Sequence, residues 1–276
     1  MQMTSTSEHS RWNLDDIRFE TIDVNAVRSD EFLFTTLASA SFVEILAQTY
    51  SANLIEHFSG NTEITDWLAA HWHPEEAQHG MALKTYVQVV WPEFDWEGGH
   101  ARFRADYATC CTVEQLEPQL ALELIARCVV ETGTSTFYRA MYDYLREPVL
   151  RDLIERIKTD ETAHYAFFRR HFVGLNKSER HTASEVIATI WRRLREVRGE
   201  DAYIAFKHVH ATRNPTVPVS PVHWRNYNQQ VKRLARKYYP YNMAIQMLVK
   251  PIPIVEQIKR PIRWCLVGIV KLASIF

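Results

Sequence analysis

The sequence has little of what would tie it to several common protein classes. Four of its 276 residues are cysteine (Cys110, Cys111, Cys128 and Cys265), and no Cys-x-x-Cys spacing occurs. The vicinal pair makes a poor disulfide framework, so the cysteines read as packing residues in a reducing compartment. An excess of one charge is missing too: 32 Lys and Arg against 33 Asp and Glu leave a formal net charge of −1, and nothing global marks a nucleic-acid binder. The polar amino terminus, MQMTSTSEHSRWNLDD, lacks the apolar core of a signal peptide, and a cytoplasmic location is expected. The apolar stretch from Trp264 to Phe276 is 13 residues long and carries Lys271, short of the roughly 20 needed to span a bilayer. It suits docking on the domain, on a partner or on a membrane surface.

Glycine is scarce as well, at eight residues, and apolar residues recur at intervals of three and four, the period of a helix with one buried face. An all-α fold is expected. One helix should run from about Asp30 to Ser59, ending at Gly60-Asn61, and a second from about Thr62 to Val90, stopping before Trp91-Pro92; the two form a hairpin. Pro92 to Thr112, with Gly98-Gly99, reads as a crossover, and a third helix covers about Val113 to Leu145. Glu147-Pro148 opens a fourth, since proline suits the first helical turn, and it should reach about Phe172. Further helices are expected over Ser178–Arg198, Asp201–His210 and, beyond a linker at Asn214–Pro221, around Val231–Tyr239; prolines 251, 253 and 261 break up the tail. The organisation read from this is an amino-terminal segment (1–29), a helical bundle (30–212) and a carboxy-terminal extension (213–276) with a basic helix and an apolar tail.

Two Glu-x-x-His units stand out, Glu76 to His79 in HPEEAQHG and Glu161 to His164 in KTDETAHY. Residues three apart share a helical face, so each unit can present a carboxylate and an imidazole to one site. Glu44 lies 16 residues before Gly60 and Glu76 lies 16 after it. In an antiparallel hairpin both then sit about 24 Å from the turn, at roughly 1.5 Å per residue. Glu131 is 16 residues before Glu147, and Glu161 is 14 after it. Four helices thus offer Glu, Glu-x-x-His, Glu, Glu-x-x-His at matching depth, an arrangement that holds a carboxylate-bridged metal pair. Glu44, in SASFVEILAQTY, and Glu131, in IARCVVETGTSTF, have mostly apolar or small neighbours, where a lone carboxylate would carry a large desolvation cost that a cation removes. Oxygen and imidazole ligands without thiolate suit iron or manganese better than a structural zinc, although ligand type alone leaves zinc open. Small residues near the ligands (Ala40, Ser41 and Ala47; Gly133, Thr134 and Ser135) read as space for dioxygen and substrate, or else as close helix packing.

On these motifs the chain resembles the ferritin-like di-iron proteins, which form a four-helix bundle with one long crossover. Within them it is most similar to the soluble acyl-carrier-protein desaturases. Their motifs usually read Glu-Glu-Asn-Arg-His-Gly and Asp-Glu-Lys-Arg-His; here Glu75–Gly80 is EEAQHG and Asp160–His164 is DETAH, while EILAQTY from Glu44 and ETGT from Glu131 match two further ligand segments. The similarity covers about Leu33 to Phe172. It implies two iron ions held by Glu44, Glu76, His79, Glu131, Glu161 and His164, with Glu76 and Glu161 bridging. It also implies dioxygen as co-substrate, an external electron donor such as ferredoxin, and oxidation of an acyl chain. Thr134 would assist proton delivery beside the oxygen pocket, and Asp160 would orient His79. A homodimer is expected by the same analogy. Gln78 and Ala163 stand where the family has arginine, so hydroxylation, N-oxygenation or oxidative cleavage on another small organic substrate stays open beside desaturation.

His71 and His73 fall on other helical faces than Glu76 and read as surface residues or as residues behind the ligands, and Trp67 and Trp72 read as core packing or else as electron-transfer residues. Local basic clusters at Arg169-Arg170, Arg192-Arg193-Arg195 and Lys232-Arg233 with Arg236-Lys237 offer a surface to an acidic carrier protein. Two other classes compete with a dioxygen-using enzyme. One is a ferroxidase or iron-storage protein, disfavoured by the crossover and the long extension; the other is a metal-free scaffold that binds partners through its tail.

Overall fold

In a computed structural model the structure describes residues 11–108, 116–196 and 200–275, without the side chains of 47–50, 200, 201 and 272–275. Cys110, Cys111 and the Ala47 side chain lie outside the described residues. The described residues are all-α, with twelve α-helices and no strand. In chain order they are α1 (Val24–Val27), α2 (Glu31–His57), α3 (Thr62–Trp67), α4 (His73–Val90), α5 (Trp96–Tyr107), α6 (Leu120–Tyr144), α7 (Pro148–Glu179), α8 (Ala183–Glu196), α9 (Glu200–Arg213), α10 (Pro221–Tyr238), α11 (Tyr241–Val249) and α12 (Glu256–Ile275).

Local chemistry sets the ends. The Asp30 side chain accepts from Leu33 N and starts α2, and Asn61 does the same for α3 through Ile64 N. The helix expected over Thr62–Val90 forms as one continuous run, but a π-helical stretch at Leu68–Trp72 separates α3 from α4. Pro74 follows directly; without an N–H it cannot bond back to the preceding turn, and one wider turn absorbs the interruption. The crossover is more ordered than its glycine pair foretold: Asp95 caps α5, and Gly99 lets it lie close to α2 and α9, since a methyl there would come within 3.0 Å of Phe42 and Thr212. The third long helix begins at Leu120, past Pro118, which disfavours helical backbone in the residue before it; residues 113–115 of the expected helix lie outside the described residues. Glu147 caps α7 by accepting from Val149 N and Leu150 N, and α7 runs past Phe172 to Glu179, where Arg180 turns left-handed at φ 59°. Pro221, read from sequence as the end of a linker, instead opens α10 under a Ser220 cap.

The long helices pack in pairs, α2 along α4 and α6 along α7, with α4 also meeting α7. Two apolar clusters lie along them. The first takes Leu33 to Leu46 of α2, Ala82 to Val90 of α4, Tyr138 and Met141 of α6 and Leu150 to Ile157 of α7; the second takes Leu54 of α2, Ile64 to Trp72 around the π stretch, Ala121 to Val129 of α6 and Tyr165 to Phe172 of α7. Followed amino to carboxy terminus, α2 and α7 run from the first cluster to the second, whereas α4 and α6 run the other way. α2 is long and apolar enough to cross a membrane, yet 73% of that stretch is buried inside the protein, as a core helix requires. Outside these pairs, α5 packs on α9, α8 on α6, α10 on α6 and α9, and α11 on α6 and α12.

One contact fixes how close α2 and α4 come. A methyl on Gly80 would lie 2.4 Å from Ile45 Cγ1 and 2.7 Å from Ile45 N, whereas one on the exposed Gly133 would meet nothing within 4 Å. Gly80→Ala should therefore destabilise the protein by about 1–3 kcal/mol, and Gly133→Ala should stabilise α6 by up to about 1 kcal/mol. Denaturant midpoints test both; an unchanged midpoint for Gly80→Ala would show that the helices can separate there at no cost.

Candidate metal centre

Between the two clusters each of the four long helices turns a polar residue inward. Glu44 of α2, Glu76 and His79 of α4, Glu131 of α6, and Glu161 and His164 of α7 are all buried. The structure brings all six together in two overlapping groups. Glu44, Glu76, His79 and Glu161 form one, and Glu76, Glu131, Glu161 and His164 the other; within each, one side-chain atom per residue lies within 4.8 Å of the rest. Glu76 and Glu161 belong to both, which is where a bridging carboxylate has to sit.

Whether metal fits here is answered by atoms left without partners. His79 Nδ1, His164 Nδ1 and Glu161 Oε1 are buried and make no hydrogen bond, a costly condition unless something else occupies the centre. His79 Nδ1 is 3.2 Å from Glu161 Oε1 and His164 Nδ1 is 3.1 Å from Glu76 Oε1, but neither pair is aligned as a hydrogen bond. Both outer ring nitrogens are held. His79 Nε2 is 3.2 Å from Asp160 Oδ2, and His164 Nε2 is 2.8 Å from Glu75 Oε2. An imidazole anchored to a carboxylate on one side and bare on the other is oriented for a cation. The donor set fits metal ions.

Further donors hold the outward faces of the carboxylates. Tyr138 Oη donates to Glu44 Oε1, Trp72 Nε1 donates to Glu131 Oε1 at 3.2 Å, and Thr134 Oγ1 donates to Glu161 Oε2 at 2.5 Å. Trp12 Nε1 donates to Asp160 Oδ2 at 2.7 Å while its ring stacks on His79, and Gln78 reaches back to the Trp12 carbonyl. Asp160 thus contacts His79, and Thr134 contacts Glu161. Sequence reasoning missed Trp12, Glu75 and Tyr138, and it read Trp72 as packing or an electron-transfer residue rather than as a donor to Glu131. Glu75 carried a signal, since an acid precedes the motif glutamate in both units (Glu75-Glu76 and Asp160-Glu161). Trp12 and Tyr138 carried none, because their contacts span 148 and 94 residues of chain.

Other expectations meet mixed outcomes. His71 and His73 stay outside both groups, and His73 pairs with Ser51 at 2.7 Å. Trp67 does pack, stacking on Phe167 and lying edge-on to His164. Two of the small residues do not line the site: Ser41 accepts from Trp96 of α5, and Gly133 is exposed.

The electrostatics match a site built for cations. Burial, reinforced by mutual repulsion, raises Glu44 and Glu161 above the ordinary carboxylate value of 4.5 and Glu76 well above it. Burial opposes charge on the imidazoles too, but the carboxylates around them overcome it and hold His79 and His164 well above 6.5. Without metal, protons must do the work of the cation.

No family model, no curated protein and no solved structure matches this chain. What the geometry defines is an all-helical protein with buried carboxylate and histidine clusters able to hold metal ions.

A linkage prediction follows from His79 and His164. Their folded values lie above the unfolded one, so the folded metal-free protein holds extra protons, and stability is lost as pH rises through the folded values. His100, pushed down to about 4 by burial, and His171 and His210, also lowered by burial, act in the opposite sense, but below about 6.5. With chelator present, the Tm should therefore fall from about pH 7 upward. Metal competes with protons for the same atoms, so stabilisation by added ferrous or manganous ion should grow over the same range. A metal-free Tm that climbs there would contradict the assignment of these two histidines.

Proposed function

We propose that the chain is a di-iron oxidoreductase that uses dioxygen to desaturate or hydroxylate an acyl chain. The observation that carries this reading is the pair of ligand groups sharing Glu76 and Glu161, with three bare buried atoms facing the centre. Helix direction supports it. α4 and α6 run the same way, as the second and third helices of a four-helix bundle with one long crossover do. When bound, a reduced iron pair would supply the capacity to activate dioxygen and oxidise an unactivated carbon.

The protein's own residues take roles around it. Asp160 and Glu75 orient the imidazoles of His79 and His164. Tyr138 and Trp72 hold Glu44 and Glu131, the carboxylates belonging to one group each. Thr134 Oγ1 donates to Glu161 Oε2, and in this reading it would deliver a proton beside that carboxylate. Of the basic clusters, Arg192 and Arg193 are engaged with Glu117 and Glu123, whereas Lys232, Arg233, Arg236 and Lys237 are exposed on α10. That helix is the surface this reading offers to an acidic acyl carrier protein or an electron donor such as ferredoxin. Oxidation of another small organic substrate would use the same ligands; iron storage would leave Thr134 without a task.

Anaerobic ferrous loading tests the reading. About two irons per chain, and an optical band that develops on adding oxygen, are expected for this ligand set. Oxygen uptake should then accelerate with acyl-carrier substrates; uptake driven by ferrous ion alone would point to a ferroxidase. Glu161→Ala should lose metal and turnover together, since a shared ligand is gone. Thr134→Val should retain the metal but consume oxygen with little product. Full iron content in the Glu161→Ala protein would remove the basis of the site.

A further inference from the structure

The carboxy-terminal quarter of the chain has a charge of its own. From Asn214 onward there are ten basic residues (Arg225, Lys232, Arg233, Arg236, Lys237, Lys250, Lys259, Arg260, Arg263 and Lys271) and one acid, Glu256, in a chain whose formal net charge is −1. The preceding part is correspondingly acidic. Such asymmetry along a chain points to an anionic partner for the basic end.

Its last helix also has two faces. Leu266, Val267 and Val270 of α12 are half-buried against the second apolar cluster. Ile258, Ile262, Cys265 and Ile269, spaced by four, three and four residues, form one stripe that faces solvent. On the helical wheel at about 100° per residue, Trp264, Lys271 and Arg260 lie on the other flank of the exposed arc, separated from this stripe by Pro261, Gly268 and Gln257. Ile258 is 51% exposed, Ile269 61% and Trp264 76%. An exposed face with aliphatic residues on one flank and an indole and cations on the other, opposite the flank packed on the protein, is the composition of a helix that lies in the plane of a bilayer surface.

We propose that α12 docks the protein on an anionic lipid surface, with the isoleucine stripe and Trp264 in the headgroup boundary and Arg260 and Lys271 against lipid phosphates. A second copy of the chain fits this face less well, because a twofold contact would set the basic residues of one α12 against those of the other. Nucleic acid would leave the isoleucines in water. The inference stands apart from the chemistry of the metal centre.

The test uses the full chain and phosphatidylcholine vesicles with or without phosphatidylglycerol. Sedimentation with the anionic vesicles only, reversed by salt, is expected. Arg260→Glu changes two charges and should weaken binding about thirtyfold, given about 1 kcal/mol per charge near the surface. Ile262→Asp should abolish binding while leaving the circular dichroism and metal content unchanged. Brominated acyl chains should quench part of the tryptophan emission, and Trp264→Phe should remove that part while the protein still binds. Failure to sediment with either vesicle, equal sedimentation with both, or a dimer that Ile262→Asp splits in the absence of lipid would each overturn the proposal.

Discussion

Around the centre the two acid-Glu-x-x-His units are exchanged between helices. Glu75 of α4 holds His164 of α7, and Asp160 of α7 holds His79 of α4. On the inner side the relation repeats, with His79 beside Glu161 and His164 beside Glu76. Neither unit is complete alone. A helix carrying two adjacent carboxylates and a histidine into an apolar interior would face a large desolvation cost, and each supplies what the other lacks. Because every outer contact is satisfied by protein, the uncompensated atoms all face inward. The arrangement fixes α4 against α7 at one depth, and Glu44 and Glu131 then arrive from α2 and α6.

That geometry demands close backbones. Gly80, next to His79, leaves room for Ile45, next to Glu44, so α2 and α4 approach closely at the ligands. The π stretch ends just before α4, one turn ahead of Glu76. A wider turn advances the following residues around the helix axis, so the phase of Glu76 and His79 relative to Trp72 is set there. Trp72 can thereby donate to Glu131 on a different helix while packing on Phe168.

Much of this was legible in the sequence, for reasons tied to helices. Spacing of three or four residues determines a shared face, and counting residues from a turn determines depth. Glu44, Glu76, Glu131 and Glu161 are therefore set at one level by the sequence alone. The same arithmetic could not see Trp12, whose segment is short and irregular and which reaches Asp160 from the far side of the chain. It could not see α5 as a helix either, because Gly98-Gly99 lowers helix propensity while the gain comes from burying Trp96, Phe103 and Tyr107. Gly133 was misread for a related reason. A glycine in mid-helix signals that a side chain is dispensable, and sequence does not tell which side of the helix is concerned.

The centre also constrains where stability comes from. Four carboxylates and two imidazoles buried together weaken the metal-free fold, and tying up their outward atoms offsets only part of that cost. The remainder has to be carried by apolar packing on either side. The two clusters supply it at separate levels, one below and one above the ligands on each long helix. A single central core would have left no level for the site. Because the same four helices span both clusters, a change at either end is felt as tilt at the ligands, whose mutual distances decide whether two ions can share Glu76 and Glu161. Substitutions in the clusters should then alter metal affinity without touching a ligand, whereas changes on the solvent face of α12, which joins neither the ligand groups nor the first cluster, should not.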